Sequence, residues 1–377
     1  MSSIHSLEKR GNVLAEKLLS ICIPTYNGMP ELKKALDSII ECSNGIEEEI
    51  QICVSDNCST DETFDYLKKF SKTSKIEIKI NRYEVNKGFD ANVLQVLQMG
   101  DGKYCWLFGD DEYFINPGFR QIIEKFKTET DENCFLFLSG LIVPEGVKTF
   151  SKNLTSEKEE RWDFEGLILN TPAFISCMIF NKQILSEFFN SRTGIIKNGL
   201  DTQYMHVWLI RMLCIFNPKY YAKRLPISAF ATIPSWSDLQ GIRRQFKFML
   251  DSMQLHSRSL LISIKEKNAR RYIIKFAKKL FVHYLQILSN FTMARKFRDT
   301  SFEFDFFIYL VKRYHILSPW LAIPYAIIMF LPKILVNLAY KIETKLALKL
   351  RITNKDDLMA TEYKWSKKLN KMEMPND

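Results

Sequence analysis

The stretch Leu19-Ser20-Ile21-Cys22-Ile23-Pro24-Thr25-Tyr26-Asn27 is an apolar run that ends in polar residues. A short apolar run bounded by turn residues is typical of a buried strand. The next segment, 30–40, carries apolar residues at helical spacing and predicts a helix. From residue 18 onward the chain therefore begins with a strand, a polar turn and a helix.

The same alternation of apolar runs and amphipathic segments continues to about residue 143. Further strands are predicted over 50–55, 76–83, 104–108 and 134–143, and further helices over 61–70, 89–99 and 117–127. Such alternation is typical of an α/β fold with a mainly parallel sheet flanked by helices. Ligands of these sheets bind at the carboxyl ends of the strands, which makes the residues after each strand the first candidates for a site.

Polar and acidic residues follow each of the first four predicted strands. The four groups are Pro24 to Asn27, Asp56 to Asp61, Asn86 to Phe89, and Gly109 to Glu112. Because the ends of parallel strands meet at one edge, we predict a single cleft lined by all four groups. Each group alone also fits a local role, as a turn, a loop or a helix cap. Their occurrence in order favours the cleft.

The acidic group after the fourth strand indicates an anionic ligand that is bound through a metal ion. Asp110, Asp111 and Glu112 would repel a diphosphate unless a divalent cation lay between them. Mg²⁺ and Mn²⁺ prefer oxygen ligands and are often held by one or two carboxylates and the substrate phosphates. Such an ion stabilises a departing diphosphate. Asp56 is suited to hydrogen bonding with a base or ribose, and Gly88 to a close backbone approach.

Taken together, the four motifs resemble the family 2 glycosyltransferases, which have a GT-A fold. The resemblance covers about residues 18–126, and the segment 106–112 is most similar to abequosyltransferase-like bacterial enzymes that build O-antigen or capsule units. It implies a nucleotide diphospho-sugar donor. The residues that it implies for donor binding are Pro24, Thr25, Tyr26, Asn27, Asp56, Asn57, Lys87, Gly88 and Asp110.

The resemblance also implies a metal ligand, Asp111, for Mn²⁺ or Mg²⁺. The sequence departs from the family's Asp-x-Asp motif at its first acidic position, where Gly109 stands. The ion would then rest on one carboxylate and on the diphosphate of the donor.

The acceptor side of the reaction is predicted in the segment 162–245. Inverting transfer, which the resemblance implies, needs a base that takes the proton of the acceptor hydroxyl. The triplet Gly199-Leu200-Asp201 opens a predicted helix over 202–216 and is similar to the family's Glu-Asp motif, with Leu200 in place of Glu. Asp201 is thereby the implied base. A helix N-cap is the alternative role for Asp201.

Three further residues are candidates for acceptor contact or for closure of the site. His206 follows Asp201 on the predicted helix, and a satisfied core or surface histidine is its alternative role. Trp236 is predicted to stack on a sugar, and Arg243 to neutralise the diphosphate. A plain loop and helix start is the alternative for this stretch.

Charge is distributed unevenly along the chain, whose formal net charge is +10. Residues 258–351 contain 18 Lys and Arg against 5 Asp and Glu, interleaved with apolar runs such as 320–331. We predict that 246–377 is a helical, basic region that lies on an anionic membrane surface at its cytoplasmic face. The apolar run is shorter than the ~20 residues of a membrane-spanning helix, which favours a peripheral or monotopic protein. A buried core helix is the alternative.

Cysteine usage and the N-terminal residues complete the predicted organisation. The eight cysteines show no paired CxxC spacing, which argues against zinc and favours buried, reduced thiols in a cytosolic protein. Residues 1–17 are polar and lack the apolar core of a secretory signal. We predict a polar extension over 1–17, then a catalytic domain over 18–245 whose nucleotide-sugar half is 18–130.

The predicted function is transfer of a sugar from a nucleotide diphospho-sugar to a glycan acceptor. The acceptor expected from the resemblance is a lipid-linked intermediate of O-antigen or capsule synthesis. A catalytically inactive nucleotide-sugar-binding or membrane scaffold protein is the alternative. The sequence carries no motif of a nucleic-acid-binding protein, so nucleic acid is not among the predicted partners.

Overall fold

The computed structural model describes residues 17–142, 158–163, 165–167, 174–232 and 238–278, together with Ile342 and Lys345. The chain divides into two compact units. The first contains Met1–Thr193 and Lys219–Ile233, and the second contains Gly194–Pro218 and Pro234–Asp377. The domain limits predicted from the sequence stay a prediction.

The described part of the first unit contains nine strands and five helices with defined bounds, besides a short helical segment at 165–167. The strands are β1 (Leu19–Thr25), β2 (Ile50–Asp56), β3 (Glu77–Arg82), β4 (Tyr104–Leu107), β5 (Glu112–Phe114), β6 (Cys134–Ile142), β7 (Glu160–Trp162), β8 (Met178–Asn181) and β9 (Tyr221–Thr232). The helices are α1 (Glu31–Cys42), α2 (Thr63–Thr73), α3 (Phe89–Met99), α4 (Gly118–Thr128) and α5 (Lys182–Ser191). The predicted strands and helices up to residue 142 are confirmed to within three residues at their ends.

The nine strands form one sheet in the order β3-β2-β1-β4-β8-β6-β9-β5, and β7 pairs with β9. The strands β1 to β4 are parallel, whereas β8 is antiparallel to both β4 and β6, and β5 is antiparallel to β9. The α/β class is therefore confirmed, but the prediction of a mainly parallel sheet is wrong beyond β4. Beyond β4 the sheet is mixed, because β6 and β9 pair in parallel whereas β8, β5 and β7 run antiparallel to the strands they pair with.

Burial explains why the first two strands form the centre of the unit. Every residue of β1 and of β2 is buried, as expected for parallel strands with both faces covered. Around β4, Trp106 and Phe108 pack against Phe114 and Phe119, with the rings of Phe108 and Phe114 stacked at 4.0 Å. This aromatic core supports the end of β4, where the acidic residues begin. The eight cysteines are free, as predicted, and seven of them are buried.

The second unit is helical in its described part. A short helix α6 (Thr193–Lys197), whose first residue belongs to the first unit, leads to α7 (Met205–Phe216) and then to α8 (Asp238–Lys265), which is followed by a 3-10 helix over Lys267–Tyr272. The predicted helix over 202–216 begins only at Met205. Asp201 and Gln203 have φ angles of 64° and 60°, and such left-handed residues cannot belong to a right-handed helix. The prediction that Asp201 opens or caps this helix is therefore wrong.

Membrane association was predicted partly from segments outside the described residues. The apolar run 320–331 lies among them. Nearly all of the predicted extension 1–17 also lies outside the described residues. No helix in the described part of the chain combines the length and the apolar composition of a membrane span.

Candidate functional site

The ends of β1 and β4 are joined by a direct side-chain contact. The Thr25 hydroxyl donates a 2.6 Å hydrogen bond to Oδ2 of Asp110, across 85 residues of sequence. Gly28 lies against this pair, because a Cβ at this glycine would collide with the Thr25 hydroxyl and the Asp110 carboxylate. Gly28 was not singled out from the sequence, since only the folded structure shows what surrounds it.

The loops after β1 and β2 interlock through Asn27 and Ser59. The Asn27 backbone amide donates to the Ser59 hydroxyl at 2.8 Å. The Asn27 side-chain oxygen accepts from the Thr60 backbone amide, also at 2.8 Å. Asn27 has a φ of 52°, a left-handed conformation that asparagine adopts more readily than most residues. The preceding Tyr26 is 47% exposed, so its ring is accessible to a ligand.

Asp56, at the end of β2, is fully buried and its carboxylate is engaged by protein atoms. Its Oδ1 accepts from the Ser59 amide at 2.9 Å and from the Ser59 hydroxyl at 2.5 Å, and its Oδ2 lies 3.4 Å from Nε of Arg82. The Arg82 guanidinium also lies 4.3 Å from the centre of the Phe64 ring. The predicted contact of Asp56 with a base stays a prediction. Arg82 was missed, although its position as the last residue of β3 was a usable signal.

The segment between β3 and α3 is ordered by asparagine side chains. The side-chain nitrogen of Asn57 donates to Oδ1 of Asn86 at 3.0 Å, and the Lys87 backbone amide donates to Oδ1 of Asn57 at 2.8 Å. Gly88 has a φ of 83° and begins the turn into α3. This geometry leaves the Lys87 side chain exposed next to a helix N-terminus, where anions are favoured.

The Asn92 side chain links the ends of β1 and β2. It lies on the buried face of α3, and its side-chain nitrogen donates to the carbonyl of Thr25 at 3.2 Å and to that of Ser55 at 2.9 Å. Asn92 was not predicted from the sequence. Its signal was a polar residue near Val93, Val96 and Leu97 in a helix whose buried residues also include Asp90.

The acidic group after β4 combines two protected carboxyls with an exposed one. Burial, together with repulsion from Asp111, raises the pKa of Asp110 to about 7, although the Thr25 hydrogen bond opposes the shift. Burial also holds the pKa of Glu112 well above its ordinary value, and Asp111 again adds repulsion. Asp111 itself is exposed. A cation beside these carboxyls would lower their pKa values, because it favours the ionised form.

The donor chemistry of this group fits a hard divalent cation. Carboxylate oxygens are ligands that Mg²⁺ and Mn²⁺ prefer, and Asp110, Asp111 and Glu112 supply them in consecutive positions. Within the described ranges, no cluster of three or more His, Cys, Asp or Glu side chains is arranged to hold a metal. Gly109, which replaces the first acid of the expected motif, donates its backbone amide to the Ser176 hydroxyl at 2.8 Å.

The predicted base and acceptor residues belong to the second unit. Asp201 is exposed in the turn between α6 and α7, whereas His206 is buried within α7. Arg243 lies in α8 with its side chain outside the described set, and Trp236 lies outside the described residues. The roles predicted for these four residues stay predictions.

The first unit is thus an α/β sheet in which polar residues at the strand ends contact one another, as the sequence indicated. Residues 20–188 match the model of the family described as "Glycosyl transferase family 2". Over these residues the chain is similar to the family 2 glycosyltransferases. The predicted family resemblance and the predicted enzyme class are confirmed for this part of the chain.

Relatives match the chain over short segments. Abequosyltransferase RfbV of Salmonella typhimurium is 40% identical over 98 residues, which are 25% of this chain and 28% of that protein. The uncharacterized glycosyltransferase MG025 of Mycoplasma genitalium is 32% identical over 113 residues, 29% of this chain and 36% of that protein. The matched segments thus cover 28% and 36% of the length of these two relatives.

A solved structure supports the fold beyond these segments. The crystal structure of TarS from Staphylococcus aureus superposes with a TM-score of 0.51 at 13% identity, covering 71% of this chain and 43% of that one. The predicted GT-A-like α/β fold is confirmed, with a mixed rather than a mainly parallel sheet.

Proposed function

We propose that the protein is a glycosyltransferase that moves a sugar from a nucleotide diphospho-sugar to a glycan acceptor. The observation that carries the proposal is the meeting of the polar strand ends, where Thr25 bonds to Asp110 at 2.6 Å beside the exposed Asp111. The match to the glycosyltransferase family over residues 20–188, which contain these strand ends, supports the same activity.

The nucleoside and the diphosphate of the donor would contact different parts of the cleft. The exposed ring of Tyr26 offers a stacking face for the base, and Asp56 shapes the adjoining loop through its two bonds from Ser59. Lys87 and the N-terminus of α3 offer positive charge to the diphosphate. The position of Lys87 is set by the bond from its amide to Asn57.

Mn²⁺ or Mg²⁺ is the proposed cofactor, held by Asp111 with Asp110 beside it. When bound, such an ion offsets the negative charge that develops on the departing diphosphate. Thr25 fixes the orientation of the Asp110 carboxylate through its 2.6 Å hydrogen bond. Gly28 leaves room for that contact.

Asp201 is the proposed base for an inverting transfer. Its carboxylate would take the proton of an acceptor hydroxyl while that oxygen bonds to the anomeric carbon and the bond to the diphosphate breaks. Asp201 is exposed and holds a φ of 64°, an uncommon conformation for a residue other than glycine. Such strain clusters at functional sites, which supports the assignment. His206, Trp236 and Arg243 are the proposed acceptor and closure residues.

A lipid-linked surface-polysaccharide intermediate is the proposed acceptor, reached at the cytoplasmic face of an anionic membrane. Three exposed apolar residues, Leu261, Ile264 and Ile274, support this location. They accompany six Lys and Arg against one acidic residue over 265–278, a pattern typical of a membrane-surface segment.

The membrane proposal is tested by sedimenting the full chain with vesicles of phosphatidylglycerol and phosphatidylcholine. We expect binding to vesicles that contain the anionic lipid, loss of that binding at high salt, and at least a tenfold loss in an Ile264→Glu, Ile274→Glu double variant. Equal binding to pure phosphatidylcholine, or unchanged binding of the variant, would exclude this surface as the membrane contact.

The activity is tested by hydrolysis of a panel of UDP-, GDP-, CDP- and dTDP-linked sugars with Mn²⁺ or Mg²⁺. We expect turnover of at least one donor, and a loss of about a hundredfold or more in Asp111→Ala. Asp65→Ala is the matched control, because Asp65 is an exposed acid that pairs with Lys68 on α2. Nucleotide binding without turnover would indicate a nucleotide-sugar-binding protein instead. Absence of both would refute the proposal.

A further inference from the structure

The turn that carries Asp201 adopts a backbone that its own sequence does not favour. Asp201 and Gln203 both have left-handed φ angles, and neither is glycine. Left-handed residues of this kind persist only where the surrounding structure imposes the conformation. The contacts of this turn with the rest of the second unit therefore determine where the Asp201 carboxylate is held.

Two side chains of α8 bind three carbonyl groups of the turn. Nη1 of Arg258 donates to the carbonyl of Asn198 at 2.7 Å and also to that of Leu200. With its amide oriented so that both ends are satisfied, Gln254 donates to the carbonyl of Asp201 at 3.1 Å and accepts from Nη2 of Arg258 at 2.7 Å. Gln254 and Arg258 are four residues apart and so lie on one face of α8.

The opposite side of the turn is fixed by α7 and by the turn itself. The Thr202 hydroxyl donates to the carbonyl of Gly199 at 2.7 Å, and Nε1 of Trp208 donates to the carbonyl of Ile195 at 2.9 Å. Gly199 packs directly against the Trp208 ring, where a Cβ would collide. The backbone of the turn is thus held from α7 and from α8.

We propose that Gln254 and Arg258 are positioning residues that hold Asp201 for proton removal from the acceptor. The proposal rests on the function proposed above, in which Asp201 is the base. The bond from Gln254 fixes the peptide plane that follows Asp201, and the bond from Arg258 to Leu200 fixes the plane before it. Together the two bonds set the direction of the Asp201 side chain without touching the substrate.

A positioning role predicts a defined change in the kinetics of donor hydrolysis, measured on the nucleotide sugar that the full chain turns over. We expect Arg258→Met to lower kcat by about 10- to 100-fold, since a displacement of about 1 Å can cost a hundredfold. KM for the donor is expected to stay within about twofold, because the predicted donor residues belong to the first unit. Arg258→Lys should recover part of kcat, because it restores a cationic donor.

The controls separate positioning from a general structural effect. Lys197→Met, which removes an exposed cation of α6 outside this set of contacts, should retain the kcat of the wild type. In an Asp201→Asn background, Arg258→Met should cause no further loss, because there is no base left to position. Gln254→Met provides a second variant with the same expectations if Arg258→Met does not fold.

Each contrary result has a distinct meaning. If Asp201→Asn lowers kcat but the Arg258 and Gln254 variants do not, the positioning role is overturned and the base assignment stands. Losses that multiply in the double variant also overturn it, since they indicate an independent effect. If Asp201→Asn leaves kcat unchanged, the base assignment and this inference fail together. Absence of turnover by the wild type is instead the failure of the proposed activity.

Discussion

Replacement of Asn92 by leucine tests whether the cleft depends on the buried link between β1 and β2. The change keeps the side-chain volume and removes both hydrogen bonds to the carbonyls of Thr25 and Ser55. Two such bonds contribute about 2 kcal/mol, and carbonyls that lose a donor in the interior add about 2 kcal/mol. The Asn92 side-chain oxygen has no hydrogen-bond partner in the described structure, so its removal returns about 1 kcal/mol. The net loss is about 3 kcal/mol.

Hydrogen exchange of peptides from β1 and β2 measures this loss in the first unit without interference from the second. We expect the protection of these strands to fall by about two powers of ten, which corresponds to about 3 kcal/mol. Gln98→Leu is the control, because Gln98 is exposed on the same helix and its change should stay within about 0.5 kcal/mol. A loss below about 1 kcal/mol in Asn92→Leu would refute the importance of the link.

Three further results are expected from the same geometry. Gly28→Ala should separate Thr25 from Asp110 and weaken nucleoside diphosphate binding by about tenfold in calorimetry; unchanged affinity would contradict the role of this pair. The pKa of Asp110 is raised to about 7, so the folded protein retains a proton that the unfolded chain releases near pH 4, and metal-free stability should fall as the pH rises from 5 to 8. Thermal unfolding of Asp110→Asn should show a weaker decrease, and an equal decrease would disprove the assignment. Arg82→Met should lower the free energy of unfolding by about 2 kcal/mol, because it breaks the ion pair with Asp56. This loss is smaller than for a fully buried ion pair, since the Arg82 side chain is 39% exposed. A urea titration that shows no change would count against this ion pair.

The meeting of the polar strand ends could be predicted because its signals are local in sequence. Alternating apolar runs and amphipathic segments identify β1 to β4, and the edge rule for parallel strands then places their polar ends together. The contact between Thr25 and Asp110 and the link from Asn57 to Asn86 confirm that these ends meet.

The second half of the sheet could not be predicted in the same way. β9 contains Pro226, and a proline inside an apolar run argues against a strand. In the structure Pro226 falls where the register between β6 and β9 shifts, so that the strand tolerates it. β5 spans only Glu112–Phe114, too few residues for any periodic pattern, and forms through its pairing with β9.

The Asp201 turn shows why the start of a helix can be misjudged. A polar residue before an apolar run is the usual N-cap pattern, and it predicted a helix from residue 202. Contacts with Arg258, 58 and 60 residues away in sequence, instead hold the turn that carries the left-handed Asp201. The burial of Asp56 also could not be predicted from the sequence, because it depends on the contacts of its carboxylate with Arg82 and Ser59.

Calorimetric titration of the purified full chain with UDP and GDP, with and without Mn²⁺, tests the central claim most directly. If the strand-end cleft binds a nucleotide diphospho-sugar, one of these nucleotides should bind, and Mn²⁺ should strengthen binding by about tenfold or more. Asp111→Asn should abolish the effect of Mn²⁺, and Asp65→Asn should retain it. No binding of either nucleotide, or equal binding by the wild type and Asp111→Asn in Mn²⁺, would contradict a metal-assisted nucleotide-sugar site at this edge of the sheet.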